Sequence, residues 1–142
     1  MKPEARFRAN MVKALRNYGA LAQPIESEGT GRGIPDLYIA HGGVIAWIEC
    51  KDDSTGIWPC DRKIAFRPLQ YSWGKKNESE GGISIVAIHY LNGYLFTHIH
   101  DVDASTMRPS RSASLFQEHF SAQGLLQWLK ACSYTQKEET GC

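Results

Sequence analysis

The residues best suited to chemistry lie in two short runs, Gly31-Arg32-Gly33-Ile34-Pro35-Asp36-Leu37-Tyr38-Ile39 and Trp47-Ile48-Glu49-Cys50-Lys51. The first places an acid at the mouth of an apolar, strand-like run. The second ends another such run in Glu-x-Lys, and one short turn separates them. Asp36, Glu49 and Lys51 therefore converge at one end of a hairpin. Two carboxylates drawn together out of water are costly to desolvate unless a divalent cation sits between them. A cation held there can position a water and a scissile phosphate. The chemistry these residue types fit is metal-assisted hydrolysis of a phosphodiester.

The elements that must position these groups can be read outward from the hairpin. Asp36 to Ala40 reads as a buried strand, His41-Gly42-Gly43 as the turn and Val44 to Lys51 as the next strand. Period-two alternation puts Val44, Ala46, Ile48 and Cys50 on one face and Ile45, Trp47, Glu49 and Lys51 on the other. Glu49 and Lys51 thus point the same way. Cys50 turns its side chain to the opposite face, which leaves its backbone carbonyl free to meet a metal. Ala20 to Ile25 suits an edge strand, because Pro24 argues against a central one. Between these strands, Glu28 to Gly33 is a Gly-rich loop whose Thr30 and Arg32 could touch phosphate.

Upstream, a helix is expected from about Pro3 to Tyr18, with Pro3 in its first turn and Gly19 just past its end. Phe7, Met11, Leu15 and Tyr18 recur at helical spacing and form its buried stripe. Glu4 continues that stripe inward, an unusual place for a carboxylate. Interaction with the helix dipole is the ordinary explanation. Downstream, Asp52 to Arg67 is polar and reads as a mobile loop, with Trp58 as a candidate DNA contact. Pro68 suits the start of a helix over Leu69 to about Lys76, with Gln70 and Trp73 near each other on one face. Ile83 to Tyr90 and Tyr94 to His98 flank Leu91-Asn92-Gly93, a hairpin signal. Leu115, Phe116, His119 and Phe120, followed by Leu125, Leu126 and Leu129, predict two short helices or one broken at Gly124. Residues 133–142 are polar, and a disordered tail is expected there. The order α–β–β–β–α–β–β–α indicates a mixed sheet in an α/β sandwich.

Composition narrows the function classes. The 142 residues, 42% apolar and 22% charged, suit one globular domain, expected over residues 1–132. No apolar run approaches the ~20 residues that span a bilayer, and no signal-type apolar segment follows Met1, so a cytoplasmic protein without membrane contact is expected. A net charge of +1 rules out a globally basic nucleic-acid binder. Local groups can still contact phosphate. Lys2, Arg6, Arg8, Lys13, Arg16 and Arg32 form one basic set, and Arg62, Lys63, Arg67, Lys75 and Lys76 a second. Cys50, Cys60, Cys132 and Cys142 lack zinc-type spacing and read as free thiols. His89, His98 and His100 sit in strand-like context and read as structural.

The two runs, with strand context on both sides and a helical Gln70 afterwards, resemble the PD-(D/E)xK nuclease superfamily. More narrowly, Arg32 to Leu37 and Trp47 to Lys51 resemble the small VRR-Nuc-type enzymes of phages, a group similar to Holliday-junction resolvases and phage-type endonuclease I. The resemblance reaches from Glu4 to the hairpin ending at His98, about two-thirds of the chain. It implies a restriction-endonuclease-like α/β sandwich, with a central mixed sheet flanked by helices, and a Mg²⁺-dependent endodeoxyribonuclease. Asp36, Glu49 and the Cys50 carbonyl would bind Mg²⁺ or Mn²⁺. Lys51 would orient or deprotonate the attacking water. Glu4 would complete the site and contact a second metal, with Glu26 or Glu28 in its place if it points elsewhere. Gln70 matches the helical polar residue facing the site. Arg32, Thr30, Lys63, Arg67, Lys75 and Lys76 are the nucleic-acid contacts.

The expected partner is DNA, double-stranded or branched, in replication or recombination. Junction resolvases act as two-fold dimers because two symmetric strands are cut, so a homodimer belongs to the same expectation. A nicking or restriction-type endonuclease of this fold is the nearest alternative. A catalytically silent DNA-binding or structural protein is a third reading. Asp36, Glu49 and Lys51 standing together argue against it, since a decayed site commonly loses at least one.

Overall fold

Apolar residues fill the strand-forming runs, and the sheet they build is covered on both faces. The computed structural model describes residues 2–25, 33–57 and 59–140, the stretch 133–140 as backbone only. Helix α1 (Pro3–Tyr18) leads into β1 (Leu21–Pro24), β2 (Leu37–His41) and β3 (Val44–Asp53). Helix α2 (Gln70–Ser79), β4 (Ser84–Tyr90), β5 (Gly93–His98), β6 (Leu115–Gln117) and α3 (Ala122–Thr140) follow. The strands lie in chain order in one six-stranded sheet. Every pairing is antiparallel except β3 with β4, which are parallel. Parallel neighbours need a long crossover, and the segment carrying α2 supplies it.

One face packs against α1 and α3. There Phe7, Met11 and Leu15 meet Leu37, Ala46, Ile48 and Ile85, with Leu125 and Leu129 from α3. The other face buries Val86, Ile88 and Leu95 under Cys60, Ile64, Ile99 and Val102. Covering both faces explains why β4 is buried almost throughout and lacks strict alternation. Among the described residues no helix is long and apolar enough to cross a membrane.

The structure departs from sequence expectation in four places. Tyr18 is 44% exposed, and Val12 takes the place expected of it in the buried stripe. The described residues between Asp52 and Arg67 are more ordered than a loose loop: a 3-10 turn forms at Pro59–Asp61, and Cys60 and Ile64 are buried in the second core. Leu115 to Gln117 is a strand, paired with β5 as Phe96↔Leu115 and Leu95↔Phe116. So few apolar residues fit either period, and the open edge of β5 offers backbone partners that settle the choice. Gly124 lies inside α3, which continues past Cys132 to Thr140. Gln136 to Glu139 are good helix formers with no Pro or Gly among them.

One glycine of the motif has a clear steric reason. Gly33 has φ +73°, and a Cβ there would stand 2.4 Å from the Leu69 carbonyl oxygen and 2.8 Å from the Gln70 nitrogen. Its bare backbone lets the chain entering β2 lie directly on the first turn of α2. Gly33→Ala should therefore lose more stability than Gly42→Ala, whose φ is +58° but whose surroundings are open. The expected losses in urea unfolding are roughly 2–4 kcal/mol against about 1–2 kcal/mol. Equal losses would show that the close approach relaxes freely.

Candidate active site

The hairpin register pairs Leu37 with Ile48, so Asp36, just before β2, stands level with Glu49 on β3. Past that point β3 continues to Asp53 with β4 on one side and no β2 on the other. Asp36 fills part of the gap: its Oδ2 accepts the Cys50 backbone N–H at 2.9 Å. A strand residue turns its N–H and C=O to the same neighbour. The Cys50 carbonyl therefore opens on the same gap, while its side chain is fully buried in the opposite core. That burial pushes the thiol pKa well up, leaving it inert.

Helix α1 brings Glu4 to the same place. One carboxylate oxygen each from Glu4, Asp36 and Glu49 lie within 4.8 Å of one another. The inward turn of Glu4 is therefore a contact with the acids of the sheet. On the other side stands Gln70, the first residue of α2. Its Nε2 donates to Glu49 Oε1 at 2.7 Å, and its Oε1 accepts from Lys51 Nζ at 2.8 Å and from the Arg67 N–H at 2.6 Å. With one carboxylate on its nitrogen and two donors on its oxygen, the amide has a single sensible orientation. It also holds Lys51 Nζ 3.8 Å from Glu49 Oε1.

The electrostatics follow from crowding. Burial, then the charge of Asp36, push Glu49 up to about 8, against the pull of Lys51. Burial and Asp36 also raise Glu4. Glu49 Oε2 is buried without a hydrogen-bond partner. Three carboxylates, one with an orphaned oxygen, and a nearby backbone carbonyl are hard oxygen donors. They fit Mg²⁺ or Mn²⁺, and the Cys50 sulfur faces away.

A cleft of about 440 Å³ opens beside the acids, lined by Glu4, Lys51, Arg62, Lys63 and Arg67 among others. Lys63 and Arg67, two of the residues expected to contact nucleic acid, are among the residues that line this cleft. Arg62 is tied to Asp53, 2.8 Å from both carboxylate oxygens. Lys75 and Lys76 are not in the cleft lining, and Lys76 pairs with Glu80 on the surface at 2.8 Å. Thr30, Arg32, Glu26, Glu28 and Trp58 lie outside the described residues. Sequence reasoning placed Arg8 only in a basic set, not at the acidic centre, yet its Nη1 is 3.5 Å from Asp36 Oδ1. Its position four residues after Glu4, on the same helix face, was the available signal.

No protein-family model and no curated protein matches the chain. A solved structure does: Hjc, a Holliday junction resolvase from the archaeal hyperthermophile Archaeoglobus fulgidus. The two are 15% identical, with a TM-score of 0.52, over 72% of this chain and 77% of that one. At that identity the likeness shows the fold. The mixed six-stranded sheet with flanking helices is the restriction-endonuclease-like fold.

Glu49 makes a pH signature testable. A carboxyl raised from about 4.5 to about 8 on folding keeps its proton in the native state while the unfolded chain has lost it. Stability from this group is complete below pH 4.5 and falls as pH rises through 8. In chelator, the urea midpoint of the wild type should fall between pH 6.5 and 8, more steeply than that of Glu49→Gln. Identical slopes in the two proteins would contradict the protonated Glu49.

Proposed function

We propose that this chain is a divalent-metal-dependent endonuclease that hydrolyses phosphodiester bonds in DNA, acting on branched or junction substrates. The observation that carries the reading is the convergence of Glu4, Asp36 and Glu49 within 4.8 Å, beside a lysine held in place by Gln70. Asp36, Glu49, Glu4 and the Cys50 carbonyl would hold Mg²⁺ or Mn²⁺. When bound, the ion supplies Lewis-acid polarisation of the phosphate and a more acidic water. Lys51, restrained by Gln70, orients that water or takes its proton, and its charge offsets negative charge growing on the phosphate. Lys63 and Arg67 hold the DNA backbone along the cleft, and Arg8 steadies Asp36.

Support for a branched substrate comes from the Holliday junction resolvase that shares the fold. A two-fold dimer cutting symmetric strands goes with it. The narrower likeness to VRR-Nuc-type phage enzymes rests on the Arg32–Leu37 and Trp47–Lys51 runs. An enzyme of this kind would work in the cytoplasm of a bacterial or phage-infected cell.

The direct test incubates purified protein with a labelled four-way junction, a linear duplex and a supercoiled plasmid. Junction cutting in Mg²⁺ or Mn²⁺, binding without cutting in Ca²⁺ and no cutting in chelator are expected. Preferential nicking of the plasmid would favour a nicking enzyme, and undiminished cutting in excess chelator would overturn the mechanism.

Two substitutions separate chemistry from folding. Lys51→Ala should lower the cleavage rate by about 10²–10⁴, with DNA binding and melting temperature nearly unchanged. Glu4→Gln should also cost orders of magnitude in rate, yet leave the metal-free protein as stable or slightly more so, because a buried repulsion is relieved. If Glu4 served only the helix dipole, the substitution would lose about 0.3–1 kcal/mol of stability and no activity.

A further inference from the structure

Among the described residues, the buried side-chain nitrogen and oxygen atoms without a hydrogen-bond partner are Glu49 Oε2, Glu78 Oε1 and both ring nitrogens of His98. The first belongs to the acidic centre. The other three meet at the far end of α2, roughly 12 Å along the helix from Gln70 at 1.5 Å per residue. A buried imidazole with neither nitrogen satisfied is costly, and a metal ion on its lone pair relieves the acceptor half of that cost.

The fold builds this meeting point. Gly74 lies against Ile99, where a Cβ would stand 2.8 Å from Ile99 Cγ1, so α2 approaches the 3-10 turn Ile99–Asp101 closely. That approach sets Glu78 beside the end of β5. His100 Nδ1 is 2.5 Å from Glu78 Oε2, and donor atoms of Glu78, His98 and His100 all lie within 4.8 Å of one another. His98 is 3% exposed, its ring stacked on His100 and packed near Trp128, each at 4.8 Å between centroids. The other nitrogen of His100 faces Asp101 Oδ2 at 3.4 Å. A carboxylate behind an imidazole is the usual arrangement that directs the opposite nitrogen at a metal.

We propose that Glu78, His98 and His100 form a second metal site, distinct from the acidic centre, that binds Zn²⁺. Two imidazoles and one carboxylate are a zinc donor set, whereas Mg²⁺ prefers oxygen alone. Tetrahedral ligands at about 2.0–2.1 Å from zinc stand roughly 3.4 Å apart, so His100 and Glu78, 2.5 Å apart, open by about 0.9 Å to admit the ion, while wider separations, none above 4.8 Å, close toward it. Binding displaces the proton shared between His100 and Glu78 and occupies a lone pair of His98. Solvent reaches the site past His100, whose side chain is 39% exposed, and a water completes the coordination. Glu78 comes from α2 and the histidines from the end of β5 and the turn after it. The ion therefore clamps the helix that presents Gln70 to the strand layer. The proposal does not depend on the nuclease reading.

The experiment strips the full chain with chelator, saturates the acidic centre with millimolar Mg²⁺ and titrates Zn²⁺. Tryptophan fluorescence, to which Trp128 beside His98 contributes, melting temperature and metal stoichiometry are the readouts. One tightly held Zn²⁺ per chain and a higher melting temperature are expected. The partly exposed changes Glu78→Gln and His100→Ala should each weaken binding at least tenfold while the protein stays folded, and Asp36→Asn should leave it unchanged. Co²⁺ in place of Zn²⁺ should give tetrahedral absorption without a thiolate band, and Cys132→Ser, close enough to feel the charge of Asp101, should not alter it. Absence of stoichiometric Zn²⁺ binding would overturn the proposal. So would unchanged affinity in a Glu78→Gln/His100→Ala protein, or a thiolate band that disappears with Cys132→Ser.

Discussion

Three carboxylates held within 4.8 Å of one another, partly out of water, form the constraint around which the rest of this molecule is arranged. Burial first, and then the charge of Asp36, keep a proton on Glu49 up to about pH 8. No core-packing argument calls for such an arrangement, since a leucine at position 49 would bury more cheaply. A divalent ion changes the sign of the interaction: the same oxygens that repel become a ligand set. The instability of the metal-free centre and the proposed chemistry therefore have one physical origin.

Each element near the centre contributes a specific restraint. The antiparallel pairing of β2 and β3 sets Asp36 level with Glu49, and the end of β2 leaves the Cys50 backbone facing the gap. Packing of Phe7 and Met11 on the sheet delivers Glu4 from the opposite side of the chain's beginning. Gly33 lets the strand entrance lie on α2, so that the first residue of that helix can bridge Glu49 and Lys51. Helix α2 is thus a strut with polar work at both ends, Gln70 at one and Glu78 at the other.

Much of the acidic centre was legible in the sequence because its signals are local. Strand alternation placed Glu49 and Lys51 on one face, helical spacing turned Glu4 inward, and both readings agree with the contacts seen. The sheet class followed from element order. What was not legible depends on tertiary context. Leu115 and Phe116 took their conformation from the free edge of β5, which no window of sequence contains. The polar stretch before α2 hid Cys60 and Ile64, single apolar residues that close the second core. The meeting of His98 and His100 with Glu78 was not legible, because Glu78 lies two elements away and the close pass of α2 over Ile99 brings it to them.

The central claim is that the three acids are a metal site. Its most direct test is a crystal of the wild-type protein soaked in Mn²⁺ and measured for anomalous scattering. The account predicts a peak bounded by Glu4, Asp36 and Glu49, with the Cys50 carbonyl in its coordination sphere, and loss of that peak in Asp36→Asn. A wild-type crystal with no anomalous peak there, from protein that cuts DNA in the same Mn²⁺ solution, would contradict it.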